Sequence, residues 1–123
     1  MRLEHIGLYA RDPEALAKWY QQIVGLRIVR CLEKEGRPPV YFLAGEGDAK
    51  IEILPTNEAH VDRNLTSPGF SHLGFVVEDF DSERSRLAAE GVSLHGVRET
   101  SNGWKIGYFE DPEENRIEIV HRP

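Results

Sequence analysis

The chain has 123 residues, is 40% hydrophobic and 29% charged, and carries a net charge of −6. That length and balance suit one folded domain of ordinary globular composition, residues 1–123, rather than two independent ones. The acidic excess argues against a nucleic-acid partner, whose phosphates need a basic face, and no apolar run reaches the roughly 18 residues of a membrane span.

In MRLEHIGLYARD the charges come too early for a signal peptide. Residues 3–10 alternate as a strand does. Asp12 is a good helix N-cap and Pro13 suits the first helical position. Leu16, Trp19, Tyr20 and Ile23 then share one helical face, and Gly25 ends the helix. Three strands are expected near 26–33, 39–44 and 49–55, broken by Glu35-Gly36-Arg37-Pro38-Pro39 and by Gly45-Glu46-Gly47-Asp48. Cys31, the single cysteine, excludes an intrachain disulfide and suits a reducing cytoplasm; with no partner motif around it, it reads as a small apolar strand residue.

The polar stretch 56–69 reads as a linker, after which the order repeats. A strand is expected near 70–77. Asp79 or Asp81 caps a helix that ends before Gly91, with Phe80, Leu87 and Ala88 inward. Strands follow near 93–99, 104–110 and 115–121, separated by the tight-turn pair Asn102-Gly103 and by Asp111-Pro112-Glu113-Glu114-Asn115. The pattern is βαβββ twice, in units of about 1–55 and 70–123. Neither unit is large enough to bury a sufficient core alone, so pairing within or between chains is expected.

The repetition extends to single residues. EHIGLYARDPE matches SHLGFVVEDFD: His5, Gly7 and Asp12 recur as His72, Gly74 and Asp79, all at one constant offset. KIEILP and RIEIVH place Glu52 and Glu118 at an offset one position shorter, each between two isoleucines. Because strand side chains alternate, the isoleucines face the helix and the glutamates the other side. The same parity turns His5 and His72 to that side. Two imidazoles and two carboxylates form a donor set for Zn²⁺, Ni²⁺, Co²⁺, Mn²⁺ or Fe²⁺, and four protein ligands in an octahedral shell leave two positions open. His60, His95 and His121 lie outside the repeat and read as surface residues.

EHIGLYARD, KIEILP, SHLGFVVED and YFEDPEENRIEIV together resemble the vicinal oxygen chelate superfamily, the group of glyoxalases, bleomycin-resistance proteins and extradiol dioxygenases, over nearly the whole chain. The last segment is similar to that family's Asp-Pro-Asp-Gly-Asn turn before a strand ending in a glutamate ligand, with Glu114 in the glycine's place. The resemblance implies an α+β fold in which two βαβββ modules form a cupped, barrel-like mixed sheet, in a homodimer. It implies His5, Glu52, His72 and Glu118 as ligands of one divalent metal, the set of glyoxalase I. Methylmalonyl-CoA epimerase is similar but usually has Gln where Glu52 stands. Bleomycin-resistance proteins generally lack the metal.

Departures bear on the substrate. Short bacterial glyoxalase I usually has an arginine four residues after the first ligand histidine, where this chain has Tyr9; the asparagine expected after the first glutamate is Thr56, with Asn57 one step off. Arg98 is near the basic position expected before the last hairpin. A glutathione adduct, another thiol adduct, another α-hydroxy-carbonyl or an acyl thioester therefore remain as small-molecule substrates. The reaction so implied is proton abstraction next to a carbonyl through a metal-stabilised enediolate, with Glu118 as base and Glu52 as its symmetric partner. Tyr9, Phe42, Arg98, Trp104 and Tyr108 are candidate substrate-contacting residues. The rival readings are an acyl-thioester epimerase and a non-enzymatic small-molecule-binding or resistance protein.

Overall fold

Two sequence-related halves become two sheet-and-helix units in the computed structural model, which describes all residues but 60, 61, 63 and 65. The units divide at Val61–Asp62, inside the expected linker; His60 lies outside the described residues. In unit 1, β1 (His5–Ala10) leads to α1 (Pro13–Trp19), followed by β2 (Arg27–Lys34), β3 (Arg37–Ala44) and β4 (Lys50–Pro55). In unit 2, β5 (His72–Val76) leads to α2 (Phe80–Ala89), then β6 (His95–Glu99), β7 (Lys105–Glu110) and β8 (Arg116–His121). Each unit is one four-stranded mixed sheet, ordered β1-β4-β3-β2 and β5-β8-β7-β6. The first pair of each order is parallel and the others antiparallel.

The capping signals set the helix starts. The Asp12 carboxylate accepts the Ala15 amide at 3.1 Å and the Asp79 carboxylate the Ser82 amide at 3.0 Å, so Asp79 is the cap and Asp81 lies inside α2, paired with Lys105 at 2.9 Å. α1 is shorter than its apolar face suggests. Its last turn, Tyr20–Val24, widens into a π-helical turn, and the Gly25 amide reaches back to the Tyr20 carbonyl at 3.0 Å. Gly25 adopts a left-handed φ of 85°, as a helix-ending glycine does. Leu16, Tyr20 and Ile23 are buried, while Trp19 is only half-buried. In α2, Phe80 and Leu87 are buried but Ala88 is exposed, one position past the stripe that meets the sheet.

Other differences have local causes. β3 begins at Arg37 and includes Pro38 and Pro39. The prolines fall in the register shift between the Leu32–Val40 and Lys34–Arg37 pairs, and β4 pairs only from Tyr41 onward, so neither costs a ladder donor. β5 and β6 start two residues later than expected, at His72 and His95. The Asp111–Asn115 turn closes on itself. Asp111 accepts the amides of Glu113 and Asn115, both at 2.9 Å, and the Asn115 side-chain amide at 2.8 Å, with Asp111 and Asn115 both buried.

Alternation is well obeyed where it matters for a site. Ile51, Ile53, Ile117 and Ile119 are buried, whereas Glu52 and Glu118 between them are half-buried on the opposite face. The isoleucines thus make the sheets' contribution to the core, and the glutamates stand on the opposite faces. Among the described residues no helix is long and apolar enough to cross a membrane.

Candidate functional site

Register places the glutamates. Glu52 on β4 lies beside Gly7 of β1 and opposite Phe42 of β3; Glu118 on β8 lies beside Gly74 of β5 and opposite Tyr108 of β7. The histidines open β1 and β5 on the same faces. His5 Nε2 is 3.2 Å from Glu52 Oε2, and His72 Nε2 is 3.0 Å from Glu118 Oε2. Each imidazole meets an aromatic edge-on: His5 and Phe42 have ring centroids 6.2 Å apart at 81°, His72 and Tyr108 5.8 Å apart at 82°. Phe42 and Tyr108 stand at the same offset as Glu52 and Glu118, so the aromatic partner belongs to the repeat as well.

The other imidazole nitrogen is also held. His5 Nδ1 is hydrogen-bonded to Glu4, and His72 Nδ1 meets Ser71 Oγ at 2.9 Å. The Lys50 ammonium in turn donates to Glu4 at 3.3 Å. The bond to Glu4 pushes the His5 pKa up from the ordinary imidazole value, with the Glu4 and Glu52 charges adding to it and desolvation opposing. The bond to His5, then that to Lys50, holds the Glu4 carboxyl below its usual value.

Each unit therefore brings together one of the predicted ligand histidines and one of the predicted ligand glutamates. Among the described residues no group of three or more His, Cys, Asp or Glu is gathered as a metal cage; the four-residue set predicted from the repeat is seen as two matched pairs. Their chemistry fits a divalent ion: Nε2 faces a carboxylate oxygen, and Nδ1 is fixed by an outer partner, the arrangement that orients metal-ligating histidines.

The remaining candidates divide. Tyr9 stands on the His5 face of β1 and is largely exposed. Arg98, exposed on β6, pairs in register with Ile106. Trp104 precedes β7, and its ring is covered by the Arg122 guanidinium 4.5 Å from the centroid. Thr56 follows β4; its amide donates to the Ala10 carbonyl at 3.0 Å and its hydroxyl accepts the Glu58 amide at 3.1 Å. Cys31 is an exposed strand residue. His121 is not a plain surface residue: it is half-buried, with Nδ1 3.2 Å from the Val77 carbonyl oxygen. His95 is exposed but joined to Glu110, with Nε2 2.8 Å from Oε1.

Sequence reasoning missed Glu4, Ser71 and Glu110. The residue just before each repeated histidine was a readable signal for the first two. Strand parity on β7, which sets Glu110 on the face of Tyr108, was the signal for the third.

Two βαβββ units, each with a His–Glu pair on its open face, define a class of protein. The chain belongs to the glyoxalase/bleomycin resistance protein/dioxygenase superfamily, whose family model matches residues 2–119. Within it, the chain is 27% identical over 124 residues to a lactoylglutathione lyase of Haemophilus influenzae, covering 98% of this chain and 92% of the other. Among solved structures, a glyoxylase/bleomycin resistance protein/dioxygenase domain from Frankia sp. EAN1pec superposes with a TM-score of 0.81 at 22% identity, covering 100% and 98% of the two chains. TnmS3, an antibiotic binding protein from Streptomyces sp. CB03234, superposes at 0.74 with 22% identity and coverage of 100% and 97%.

Proposed function

We propose that the protein is a metal-dependent lyase or isomerase of the glyoxalase I type, working as a homodimer in a reducing cytoplasm on a small thiol adduct. The observation that carries this reading is the duplicated pair: His Nε2 to Glu Oε2 at 3.2 Å in one unit and 3.0 Å in the other, each histidine held from behind. His5, Glu52, His72 and Glu118 are the proposed ligands. A divalent ion bound by them supplies a Lewis acid for vicinal substrate oxygens.

The chain's own residues do the rest. Glu118 takes the proton from the carbon next to the carbonyl and returns it to the neighbouring carbon. Its side chain is the less exposed of the two glutamates, 14% against 21%, which keeps more solvent away from a proton in transit. Glu52 is the symmetric partner. Phe42 and Tyr108 hold the histidine rings and wall the faces on which they stand. Tyr9 offers an aromatic surface where the short glyoxalase I pattern has an arginine, so the thiol carrier is left open between glutathione and another thiol.

The test is elemental analysis of the purified protein with an assay on the methylglyoxal–glutathione hemithioacetal. About one divalent ion per chain and turnover support the reading; His5→Ala and Glu118→Ala then lose both. Metal with no turnover, but with deuterium exchange in an acyl thioester, supports the epimerase instead. The likeness to an antibiotic binding protein favours a second reading, small-molecule sequestration. Absence of metal even after reloading with Ni²⁺, Co²⁺ and Zn²⁺ decides for that one.

A further inference from the structure

The two units are not equal on their open faces. Where unit 1 has Phe42 and Ala44 on β3, unit 2 has Tyr108 and Glu110 at the matching positions of β7. Where Arg30 pairs in register with Phe42, His95 pairs with Tyr108. The substitutions build a second imidazole–carboxylate pair that unit 1 lacks. His95 Nε2 lies 2.8 and 3.0 Å from the two oxygens of Glu110. Arg116, the neighbour of Glu110 across the β7–β8 pair, stands at ion-pair distance, its Nε 3.9 Å from Glu110 Oε1, and that Nε makes no hydrogen bond among the described residues. Glu110 thus fixes which His95 nitrogen carries the proton, Nε2, and leaves Nδ1 as an acceptor without a partner among the described residues.

His95 and His72 of the candidate site share one aromatic neighbour, Tyr108. The Tyr108 ring has His72 at 5.8 Å on one side and His95 at 6.2 Å on another. Gly96, at a φ of 59°, makes this approach possible; a Cβ there would stand 3.1 Å from Tyr108 Cδ2. A surface ion pair of ordinary kind, worth little, needs neither the aromatic bridge nor the bulge that turns His95 to this face.

The proposed reaction has work for such a group. Isomerising an α-hydroxy carbonyl moves one proton between carbons and one between oxygens. Glu118 accounts for the first. We propose that His95, with Glu110 as its positioning residue, carries out the second. As the C–H bond breaks to Glu118, its electrons form the carbon–carbon double bond, the carbonyl π pair moves onto the neighbouring oxygen, and the substrate hydroxyl gives its proton to His95 Nδ1. His95 returns that proton to the neighbouring oxygen as Glu118 returns its own to the neighbouring carbon, so no oxidant or reductant is needed. The inference rests on the reading above and sets the substrate hydroxyl against His95.

The experiment compares the Ni²⁺-loaded full chain with its His95→Gln and Glu110→Gln variants on the hemithioacetal. H95Q lowers kcat about 10²–10³-fold and E110Q about tenfold, with metal content and Tm unchanged. Wild-type kcat in H95Q overturns the proposal and leaves the proposed function standing. If the wild-type chain itself does not turn over the hemithioacetal, the glutathione adduct is not its substrate, and imidazole ¹⁵N NMR decides the fate of the dyad. An Nε2–H tautomer of His95 that E110Q redistributes supports it. An Nδ1–H tautomer, or one indifferent to E110Q, overturns it.

Discussion

Tyr108 stands edge-on to His72, ring centroids 5.8 Å apart, and sits opposite Glu118 across the β7–β8 pair. One aromatic ring thereby limits the rotation of a histidine and lies against its glutamate partner, and Phe42 repeats the relation with His5 and Glu52. Removing the ring frees the imidazole without removing a ligand. Tyr108→Ala is expected to weaken Ni²⁺ or Zn²⁺ binding by about tenfold or more, as loss of an orienting neighbour does, whereas Tyr108→Phe, which copies unit 1, retains it. Isothermal titration of the metal-free protein with either ion checks this; equal affinity in Y108A and wild type refutes the orienting role.

The Nδ1 partners differ between units, a carboxylate in one and a hydroxyl in the other. Glu4 bonds His5 and is itself tied to Lys50, while Ser71 bonds His72. A charged acceptor raises the basicity of a ligating imidazole more than a neutral one. Glu4→Gln is therefore expected to reduce metal affinity by about 10–100-fold, and Ser71→Ala by less. Competition with a chromophoric chelator measures both, and a larger loss in S71A than in E4Q contradicts the order.

Much of this is legible in the sequence because the chain says everything twice. Period-2 alternation places Ile51, Glu52 and Ile53, and the offset between His5 and His72 carries the assignment from one unit to the other. Capping chemistry at Asp12 and Asp79 is local and equally readable. What escapes depends on pairing between strands. Pro38 and Pro39 look like breakers until the register shift against β2 shows that no donor is missed. The His95–Glu110 pair spans two strands and needs the bulge at Gly96 to be seen. The π-helical turn at Tyr20–Val24 has no composition of its own.

Glu114 holds a φ of 66° in the turn before β8, the position where the resembling family usually has glycine. The left-handed conformation costs a non-glycine residue about 1–2 kcal/mol, and glycine loses roughly 0.5–1 kcal/mol of that gain through its freer unfolded chain. Glu114→Gly is expected to stabilise unit 2 by up to about 1.5 kcal/mol, seen as a higher urea midpoint at unchanged slope. The Asp111–Asn115 bonds around it remain, since they use backbone amides and the Asn115 side chain. A lower midpoint shows that contacts of the Glu114 side chain outweigh the backbone strain.

Helix α2 gives the pH prediction. The Ser82 amide donating to the Asp79 carboxylate at 3.0 Å, followed by the Ser82 side chain, holds the Asp79 pKa below its ordinary value of 3.8, against a smaller opposing effect of desolvation. A carboxyl whose folded pKa is depressed stabilises the fold above its unfolded pKa and loses that contribution as the pH falls through the folded value. The cap is thus fully effective at neutral pH and weakens below about pH 4. Asp79→Ser keeps a neutral acceptor at the same place, and serine caps nearly as well as aspartate. Wild type should lose more thermal stability than D79S between pH 6 and pH 3, read as the difference between their Tm changes. Parallel losses in the two proteins would place the acid sensitivity in other carboxylates.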